Sequence, residues 1–438
     1  MNFNKRKSCI AAALVFSAIS ASSAMAQSVV LGGGSSLVGP SITTEIGDFG
    51  AGTLALTYFI TSSGTGQNAF LNDNATFFNA TLTGSVDYAN SDAALSTTQI
   101  TSYDNSTFAT TDKGGPLIQI PFITTPITIA YVNGPTSSTD TLLGPQTTPN
   151  QTHSVALNDS DLCGIFSGAL TNWHQVTNPD TGSLFALSAP IKVIYRSDGS
   201  GTTDLLTRHL AQVCTTAQTG GITFLETQTF TSNFPSGFPT GATFVGESGS
   251  GNVKGELVSL ASQTTSGSPS GVAYISPDYT NTFLAPQSSS ATATQAVASL
   301  VNRFITNSPL GTADIAPTYQ QADAAVKTVE TSIPNTALKA ANQSNWVPNS
   351  ANPTTGYPVS GTSQIILSEC YATPAIASSL VNFLTDHYST AEFTSVVNGN
   401  GFDVPTAYVS AITADFLSNT SGFNLNINGT ECTSGSGR

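Results

Sequence analysis

One local arrangement recurs along this chain: a strand-length apolar run, a turn rich in serine and glycine, and then a helix-length amphipathic run. Three such turns occupy residues 62–66, 199–203 and 248–252, and a fourth Gly/Ser cluster spans residues 32–37. Strands that alternate with helices are typical of an α/β fold with largely parallel sheets. The sequence therefore predicts an α/β architecture in which several helices begin at Ser/Gly turns.

The apolar pattern also sets the expected elements. Strands are predicted at residues 53–60, 116–123, 127–132, 191–195 and 272–275, and helices at residues 159–166, 202–213, 373–386 and 390–397. Three stretches rich in Ser, Thr, Asn and Pro are predicted to be surface loops or insertions: residues 134–152, 285–294 and 334–356. No repeat of 20–50 residues is found, which argues against a solenoid adhesin.

The first 26 residues resemble a cleavable secretory signal. A basic region at residues 5–7 precedes a short apolar run at residues 10–19, and Ala24-Met25-Ala26 fits a cleavage site. The apolar run is too short to span a bilayer, and Cys9 precedes it, where a lipoprotein cysteine does not occur. We therefore expect a mature chain that begins near Gln27 and is periplasmic or secreted.

Charge narrows the classes of partner. Removal of the signal leaves 9 Lys and Arg residues against 26 Asp and Glu residues, which is a net charge of −17. A nucleic-acid backbone would be repelled by such a surface. The sequence predicts no nucleic-acid partner.

Four cysteines remain after the signal is removed: Cys163, Cys214, Cys370 and Cys432. An even number in an oxidising compartment predicts two disulfides. Zinc is disfavoured, because no pair has C-x-x-C spacing and no histidine lies near enough in sequence to complete a zinc-ligand motif. Three pairings are open, and we favour the nearest-neighbour one, with loops of roughly 50–60 residues that each contribute about 4 kcal/mol.

The Ser/Gly turns suggest an anion site. Glycine lets the backbone approach a ligand closely, and the first N–H groups of a helix are unpaired donors at the positive end of its dipole. Several converging turns would bind an anion without any net positive charge, which matters in a chain of net charge −17. The alternative is that these turns are ordinary helix caps in a serine-rich protein.

Arg196 is one of few basic residues, and it lies between an apolar strand and the turn at residues 199–203. Its planar guanidinium can bind two oxygens of a tetrahedral oxyanion. The alternative is a surface arginine paired with Asp198 or Asp204.

Asp92 follows another apolar stretch. A carboxylate in an anion site is reasonable when the anion carries a proton that the carboxylate can accept, as phosphate does and sulfate does not near neutral pH. The alternative is an ordinary helix cap.

Taken together, these motifs resemble those of the DING group of phosphate-binding proteins, which are related to the periplasmic phosphate-binding component of ABC transporters. The resemblance spans nearly the whole mature chain, and it rests on motifs in a fixed order: Gly32-Gly33-Gly34-Ser35-Ser36-Leu37, residues 63–72, residues 91–96, residues 162–168 before Asn172-Trp173, residues 195–203 and residues 274–278. The chain departs from the family at residues 29–32, where the name-giving Asp-Ile-Asn-Gly is Val-Val-Leu-Gly.

The resemblance implies a two-lobed periplasmic-binding-protein (Venus-flytrap) fold, α/β in class, with the ligand in the inter-lobe cleft. The expected division is a signal peptide at residues 1–26, lobe I at 27–123 and 278–438, and lobe II at 124–277. Hinges are expected near residues 123–126 and 274–278. The family's cysteine pairing also resembles the nearest-neighbour choice.

Carried over residue by residue, the phosphate site would contain Ser36, Leu37, Ser63, Asp92, Arg196, Ser200, Gly201 and Thr202. Ser36, Leu37 and Ser63 would donate from the first lobe, and Asp92 would accept the phosphate proton. Arg196 and residues 200–202 would close on the anion from the other lobe. No cofactor, metal or catalytic residue is implied.

The sequence thus predicts a non-enzymatic, monomeric binder of inorganic phosphate that serves uptake, with an ABC permease as a partner, or scavenging. Two alternatives stay open: a secreted phosphoester hydrolase, and a surface adhesin with a vestigial anion site. Hydrolase motifs such as H-E-x-x-H and G-x-S-x-G are absent from the sequence. The histidines at 153, 174, 209 and 387 are scattered and are predicted to be surface residues rather than ligands.

Overall fold

The computed structural model describes residues 29–50, 54–110, 114–263, 265, 267–292, 294–305, 313–328, 333–432 and 436–438. The signal segment predicted at residues 1–26 lies outside the described residues. Among the residues described, no helix is both long enough and apolar enough to cross a membrane.

Strands in the described residues are numbered in chain order. They are β1 Val30–Gly34, β2 Leu56–Ile60, β3 Tyr88–Ser91, β4 Leu117–Pro126, β5 Thr128–Val132, β6 Ala156–Leu157, β7 Thr177–Asn178, β8 Ser183–Leu184, β9 Ile191–Arg196, β10 Thr243–Glu247, β11 Ser270–Ile275, β12 Ala296–Val301, β13 Asp314–Ile315 and β14 Ser360–Ser368.

The helices are numbered in the same way. They are α1 Gly39–Phe49, α2 Ser63–Leu71, α3 Thr97–Asp104, α4 Thr107–Thr110, α5 Asp159–Ser167, α6 Gly201–Val213, α7 Gly249–Ala261, α8 Tyr319–Lys327, α9 Ala337–Ala340, α10 Pro374–Ser389, α11 Ala391–Gly399 and α12 Thr406–Ile412. The chain also forms 3-10 turns at Ala75–Phe77, Trp173–Gln175, Phe230–Asn233, Pro277–Tyr279 and Gln343–Trp346, and a π-helical turn at Thr413–Leu417.

The strands build two principal sheets, one in each lobe. The first sheet has the order β2-β1-β3-β14-β4, and the second has the order β10-β9-β11-β5-β12-β13, with β6 beside β12. Helices α1, α2, α8 and α10 pack with the first sheet, whereas α5, α6 and α7 pack with the second. The predicted α/β class and two-lobed architecture are confirmed.

The expectation of largely parallel sheets is only half correct. Strands β2, β1 and β3 run parallel, as do β10, β9 and β11. However, β14 is antiparallel to both of its neighbours, and β5 is antiparallel to β11 and β12. The chain passes from the first lobe to the second between β4 and β5, and it returns to the first sheet at β14. Each sheet therefore contains antiparallel strands near these connections.

The predicted lobe boundaries differ from the observed topology. Strand β4 ends at Pro126 and β5 begins at Thr128, so the boundary expected at residues 123 and 124 falls inside β4. The return to the first lobe does not come at residue 278. Strands β12 and β13 follow β11 in the second sheet, and the chain rejoins the first sheet at β14. The sequence pattern did not reveal the short buried strand β12, which pairs with β5.

The apolar core is continuous between the lobes. Ile123, Ile127 and Ile129, which flank the crossing from β4 to β5, are fully buried in one cluster with Leu205 of the second lobe and Val30 of the first. Because apolar side chains exclude water along this crossing, burial stabilises the connection between lobes.

Both disulfides join nearest neighbours in sequence. Cys163 is bonded to Cys214 and Cys370 to Cys432, with sequence separations of 51 and 62 residues. The favoured pairing is confirmed.

The three stretches predicted to be surface insertions pack into the fold. In residues 134–152, the Thr147 hydroxyl donates to the Val297 carbonyl at 2.5 Å. In residues 285–294, Ala285 is fully buried. In residues 334–356, Trp346 is fully buried, and its ring centroid lies 5.1 Å from that of Phe416. The described residues of 134–152 and 285–294 are irregular, as predicted, whereas residues 334–356 contain α9 and a 3-10 turn. The purely surface position was wrong, because low periodicity does not distinguish an exposed loop from an irregular segment with buried anchors.

Candidate anion-binding cleft

Two Ser/Gly turns begin helices, as the sequence predicts. Ser62 caps α2 by accepting from the Thr65 N–H at 3.2 Å, and Ser200 caps α6 by accepting from the Thr203 N–H at 3.2 Å. Helices α2 and α6 therefore begin at Ser63 and Gly201. The first N–H groups of each helix have no partner within it and carry the positive end of the dipole.

These two helix starts meet across the cleft. The Gly64 N–H of α2 donates to the Gly199 carbonyl at 2.9 Å. Gly201 leaves no room for a side chain, because a Cβ there would lie 2.5 Å from the Ala93 nitrogen and 2.6 Å from the Asp92 Cβ. The turn of the second lobe is thus pressed against the Asp92 loop of the first.

Asp92 lies at the centre of this contact, with 1% of its surface exposed. Its Oδ1 accepts from the hydroxyls of Ser35 at 2.7 Å and Ser363 at 2.8 Å. Its Oδ2 has only long contacts, 3.4 Å to the Ser63 hydroxyl and 3.5 Å to the Thr202 hydroxyl. Oδ1 is therefore well satisfied, whereas Oδ2 keeps most of its capacity to accept a further proton.

Opposing effects act on the pKa of Asp92. Burial raises the pKa of Asp92 above its ordinary value, while hydrogen bonds from Ser35 and Ser363 and the charge of Arg196 act to lower it. Desolvation disfavours a carboxylate, and hydroxyl donors together with a nearby cation favour it.

Arg196 projects from the end of β9 and is 3% exposed. Asp198 holds it through both carboxylate oxygens: Nε donates to Oδ1 at 2.7 Å, and Nη2 pairs with Oδ2. Nη1 lies 3.4 Å from the Ser250 hydroxyl. The alternative partner Asp204 instead binds Arg208. Arg196 is therefore not a surface arginine. The pairing with Asp198 that the alternative interpretation expected is nevertheless present.

A second contact between lobes joins Ser36 to the start of α7. The Ser36 and Ser250 hydroxyls lie 3.0 Å apart, and the Ser250 N–H donates to the Ser36 hydroxyl oxygen at 3.2 Å. The Gly249 N–H donates to Asp198 Oδ1 at 3.2 Å. The carboxylate that holds Arg196 therefore also fixes the beginning of α7.

Two predicted donors are engaged within the chain. The Leu37 N–H donates to the Ser35 hydroxyl oxygen at 3.1 Å, and its side chain is buried in the core. The Ser200 N–H donates to the Gln228 carbonyl at 2.9 Å, which leaves its hydroxyl proton as the group available to a ligand. Ser36, Ser63, Asp92, Arg196, Gly201 and Thr202 all lie in the contacts described above.

Sequence reasoning missed four residues of this cleft. Ser35 lies in the Gly/Ser cluster at residues 32–37 and Ser250 in the turn at residues 248–252. The sequence therefore indicated both segments but did not identify these two serines as site residues. Asp198 was considered only in the alternative interpretation, as the partner of a surface arginine. Ser363 is in the middle of β14, 271 residues from Asp92, and no local pattern marks it.

The histidines do not enter the cleft contacts. His209 and His387 are buried, contrary to the surface prediction, and each has partners of its own. His209 contacts the Ala351 carbonyl and Asp159, and His387 contacts Glu45 and the Phe122 carbonyl. Within the described part of the chain, no group of three or more His, Cys, Asp or Glu side chains is arranged to hold a metal ion.

The two-lobed fold and its cleft agree with comparisons to known proteins. A family model described as a PBP superfamily domain matches residues 20–387. The chain belongs to the PBP superfamily. Within that superfamily it is 30% identical to a solved protein titled "high affinity periplasmic phosphate-binding protein (PfluDING) bound with phosphate", with a TM-score of 0.70 over 94% of this chain and 99% of that one. The predicted resemblance to DING proteins is confirmed.

Two curated relatives carry different names. The chain is 31% identical over 438 residues to "Alkaline phosphatase L" of Pseudomonas aeruginosa, which covers 99% of both chains. It is 29% identical over 393 residues to a "Phosphate-binding protein" of an unknown prokaryotic organism, which covers 87% of this chain and 93% of the relative.

Proposed function

We propose that this protein binds inorganic phosphate, as monohydrogen phosphate, in the cleft between its lobes and performs no covalent chemistry on it. The observation that carries the proposal is the position of Asp92 Oδ2, which has only weak contacts and lies between Ser63 of one lobe and Thr202 of the other. An acceptor there, among hydroxyl and helix N–H donors, suits an anion that keeps one proton. The solved relative titled as bound with phosphate supports the same ligand.

The cleft residues divide the task of binding. The Ser36, Ser63 and Thr202 hydroxyls and the N–H groups of Ser63, Gly201 and Thr202, at the starts of α2 and α6, donate to the phosphate oxygens. Arg196, held by Asp198, supplies a positive charge that offsets the desolvation of the anion. Asp92 Oδ2 accepts the phosphate proton. Closure of the lobes then completes the donor set and excludes water.

Discrimination against sulfate follows from Asp92. Sulfate has no proton near neutral pH, so its oxygens would meet a carboxylate oxygen with nothing between them. A buried like-charge contact costs several kcal/mol in the wrong complex. The site therefore selects phosphate by repelling its fully deprotonated competitor.

Ester hydrolysis is the second candidate, and the name of the relative from Pseudomonas aeruginosa favours it. The hydroxyls of Ser35 and Ser363 lie closest to a base in the cleft, at 2.7 and 2.8 Å from Asp92 Oδ1, and that of Ser63 lies 3.4 Å from Oδ2. Asp92 accepts from all three and from Thr202, so it is shared among four hydroxyls. A nucleophilic serine needs a close base that is free to take its proton. We therefore favour phosphate binding over ester hydrolysis as the function of this cleft.

The proposal also covers the compartment in which the protein acts and the protein to which it delivers phosphate. The protein acts in the periplasm or outside the cell as a monomer, and it either delivers phosphate to an ABC permease or retains it as a scavenger. The predicted signal segment and the solved relative titled "periplasmic" support the compartment.

Calorimetric titration of the phosphate-stripped protein with phosphate, alone and in excess sulfate, tests the proposal. We expect one-to-one binding that sulfate does not disturb. Folded protein that shows no heat with phosphate would overturn it. Turnover of p-nitrophenyl phosphate that disappears in the Arg196→Ala variant would instead establish the second candidate.

A further inference from the structure

A cavity of about 340 Å³ in the first lobe shares no lining residue with the proposed phosphate site. Three carboxylates from separate segments of the chain line it, and they belong to Asp104, Glu369 and Glu431. The rest of the wall consists of Ala109, Gly115, Pro116, Cys370 and Ser436. None of these described wall residues carries a positive charge. The cavity is therefore acidic, and its volume is that of a small-molecule site.

Glu369 is the inner carboxylate of this cavity. It is 6% exposed, whereas Asp104 and Glu431 are exposed. Within the described part of the chain, no hydrogen-bond donor and no cation contacts its carboxylate. Burial, together with the charge of Glu431, raises the pKa of Glu369 to about 7 from 4.5. A buried carboxylate without a donor or a counter-ion is costly, and a bound cation would remove that cost.

The surroundings of the cavity also favour a cation. Asp104 is the last residue of α3, so the negative end of the helix dipole adds to its charge. Arg438 belongs to the same lobe, but it is bound elsewhere: Nη1 donates to Asp73 at 3.2 Å, and Nη2 donates to the Phe70 carbonyl at 2.7 Å. The expected net charge of −17 attracts cations to the protein as a whole.

The arrangement of the carboxylates selects the kind of cation. Among the residues described, no three acidic, histidine or cysteine side chains are placed to hold one metal ion. The three carboxylates thus surround a volume instead of converging on a point. Ala109, Pro116 and Cys370 add apolar surface to the same wall, and such surface suits methylene groups. A short chain with a positive charge at each end combines these properties.

We propose that this cavity binds a small aliphatic diamine in its doubly protonated form. One ammonium group lies between Glu369 and Glu431, and the other pairs with Asp104 at the end of α3. The methylene groups lie against Ala109 and Pro116. This inference does not rest on the proposed function, because the two sites share no residue.

Calorimetric titration of the full chain with 1,4-diaminobutane tests the proposal. We expect one-to-one binding, and we expect n-butylamine, which has one ammonium group, to bind about tenfold more weakly. The affinity for inorganic phosphate should stay within about twofold of its value without diamine, because the sites are separate. Folded protein that gives no heat with 1,4-diaminobutane at millimolar concentration would overturn the inference.

The Glu369→Gln variant locates the diamine and keeps the size of the side chain. We expect about a tenfold or greater loss of affinity for 1,4-diaminobutane at pH 8. Glu392→Gln is the matched control, because Glu392 is an exposed residue of α11 in the same lobe and does not line the cavity. Equal affinity of the two variants would overturn the inference.

The pH dependence of binding gives a second readout. A carboxyl group with a pKa of about 7 is about one-tenth ionised at pH 6 and about nine-tenths ionised at pH 8, and the diamine stays doubly protonated. The unmodified protein should therefore bind the diamine about tenfold more tightly at pH 8. Glu369→Gln should lose most of this dependence, although Asp104 and Glu431 still face the cavity. The same dependence in the variant would contradict the proposal.

Two other occupants are distinguished by the same titrations. Binding of Ca²⁺ or Mg²⁺ that depends on Glu369, without competition from 1,4-diaminobutane, would replace the diamine by a metal ion and overturn the inference. Lys113 lies outside the described residues, and Lys113→Ala is titrated in parallel. Diamine binding in that variant alone would assign the cavity to an ammonium group of the chain itself and would also overturn the inference.

Discussion

The side-chain amide of Gln228 donates to Oε1 of Gln67 at 3.1 Å, and this bond joins the two lobes. Gln67 is held in turn, since its own amide donates to the Ser91 hydroxyl and the Ala93 carbonyl, each at 2.9 Å. The Gln228 carbonyl accepts the Ser200 N–H. Gln228 thus connects the turn at residues 199–203 of the second lobe to α2 of the first.

We expect Gln228→Ala to release phosphate faster while association changes little. A neutral hydrogen bond contributes about 1 kcal/mol, which corresponds to about a fivefold faster dissociation. Stopped-flow measurement of phosphate release provides the test. Gln218→Ala is the control, because Gln218 donates to Ser160 within the second lobe. Equal release rates in the two variants would show that the bond does not hold the lobes together.

Asp92→Asn is expected to reduce the preference for phosphate over sulfate. The amide can donate to sulfate, whereas it loses part of the capacity to accept the phosphate proton, so phosphate affinity should fall about tenfold or more and sulfate binding should become measurable. Competition titration with both anions checks this. If the selectivity is unchanged while Asp161→Asn, at a buried position of the second lobe, behaves as the unmodified protein, the role assigned to Asp92 is wrong.

Arg196→Ala removes the cation that the cleft contributes to a buried anion. The expected loss is on the order of 3–5 kcal/mol, which is more than a hundredfold in affinity. Arg303→Ala is the matched control, because Arg303 also lies near an aspartate of the second lobe but is 41% exposed. Circular dichroism must show that both variants fold, since Asp198 loses its partner in the first. Near-normal affinity in folded Arg196→Ala would place the site elsewhere.

Asp161 should make stability depend on pH. Burial raises the pKa of Asp161 to about 7 from 3.8, against the opposing hydrogen bonds from the Asn158 and Thr177 N–H groups. Between pH 4 and 7 the folded chain keeps a proton that the unfolded chain has lost. The free energy of unfolding therefore falls as the pH rises through this range, by on the order of a few kcal/mol for this group.

Asp161→Asn removes that contribution, so its free energy of unfolding should fall less between pH 4.5 and 7. Urea unfolding at both pH values measures the difference. Some slope remains, because burial also raises the pKa values of Asp87 and Glu369 to about 7. A slope identical to that of the unmodified protein would contradict the assignment.

Local features of the site were predictable, whereas long-range ones were not. The positions of two helices next to the Ser/Gly turns at residues 62–66 and 199–203 follow from short-range rules of capping and turn geometry, and the sequence signals both, although α2 begins within its turn rather than after it. Ser363 and Gln228 carry no such signal, because their importance arises only when distant segments pair. A serine in a serine-rich strand looks the same whether it faces Asp92 or solvent.

The same reasoning explains the errors in the fold. His387 lies fully buried because both ring nitrogens have partners: the Phe122 carbonyl accepts from Nε2 at 2.8 Å, and Nδ1 lies 2.7 Å from Oε1 of Glu45, 342 residues away. Charge and polarity alone predict a surface position for such a residue. The order of strands at the crossing side of each sheet also depends on tertiary pairing, which apolar periodicity does not encode.

The strand order of the two sheets has a consequence for how the protein forms as it is synthesised. Every strand of the second sheet comes from the continuous stretch between residues 128 and 315, so that lobe can complete its sheet before the rest of the chain emerges. In the first sheet β14 lies between β3 and β4, so β4 has no neighbour until residues 360–368 arrive. The sheet that carries Asp92 is therefore incomplete, with an unpaired edge, until β14, the last strand in the described part of the chain, has been made.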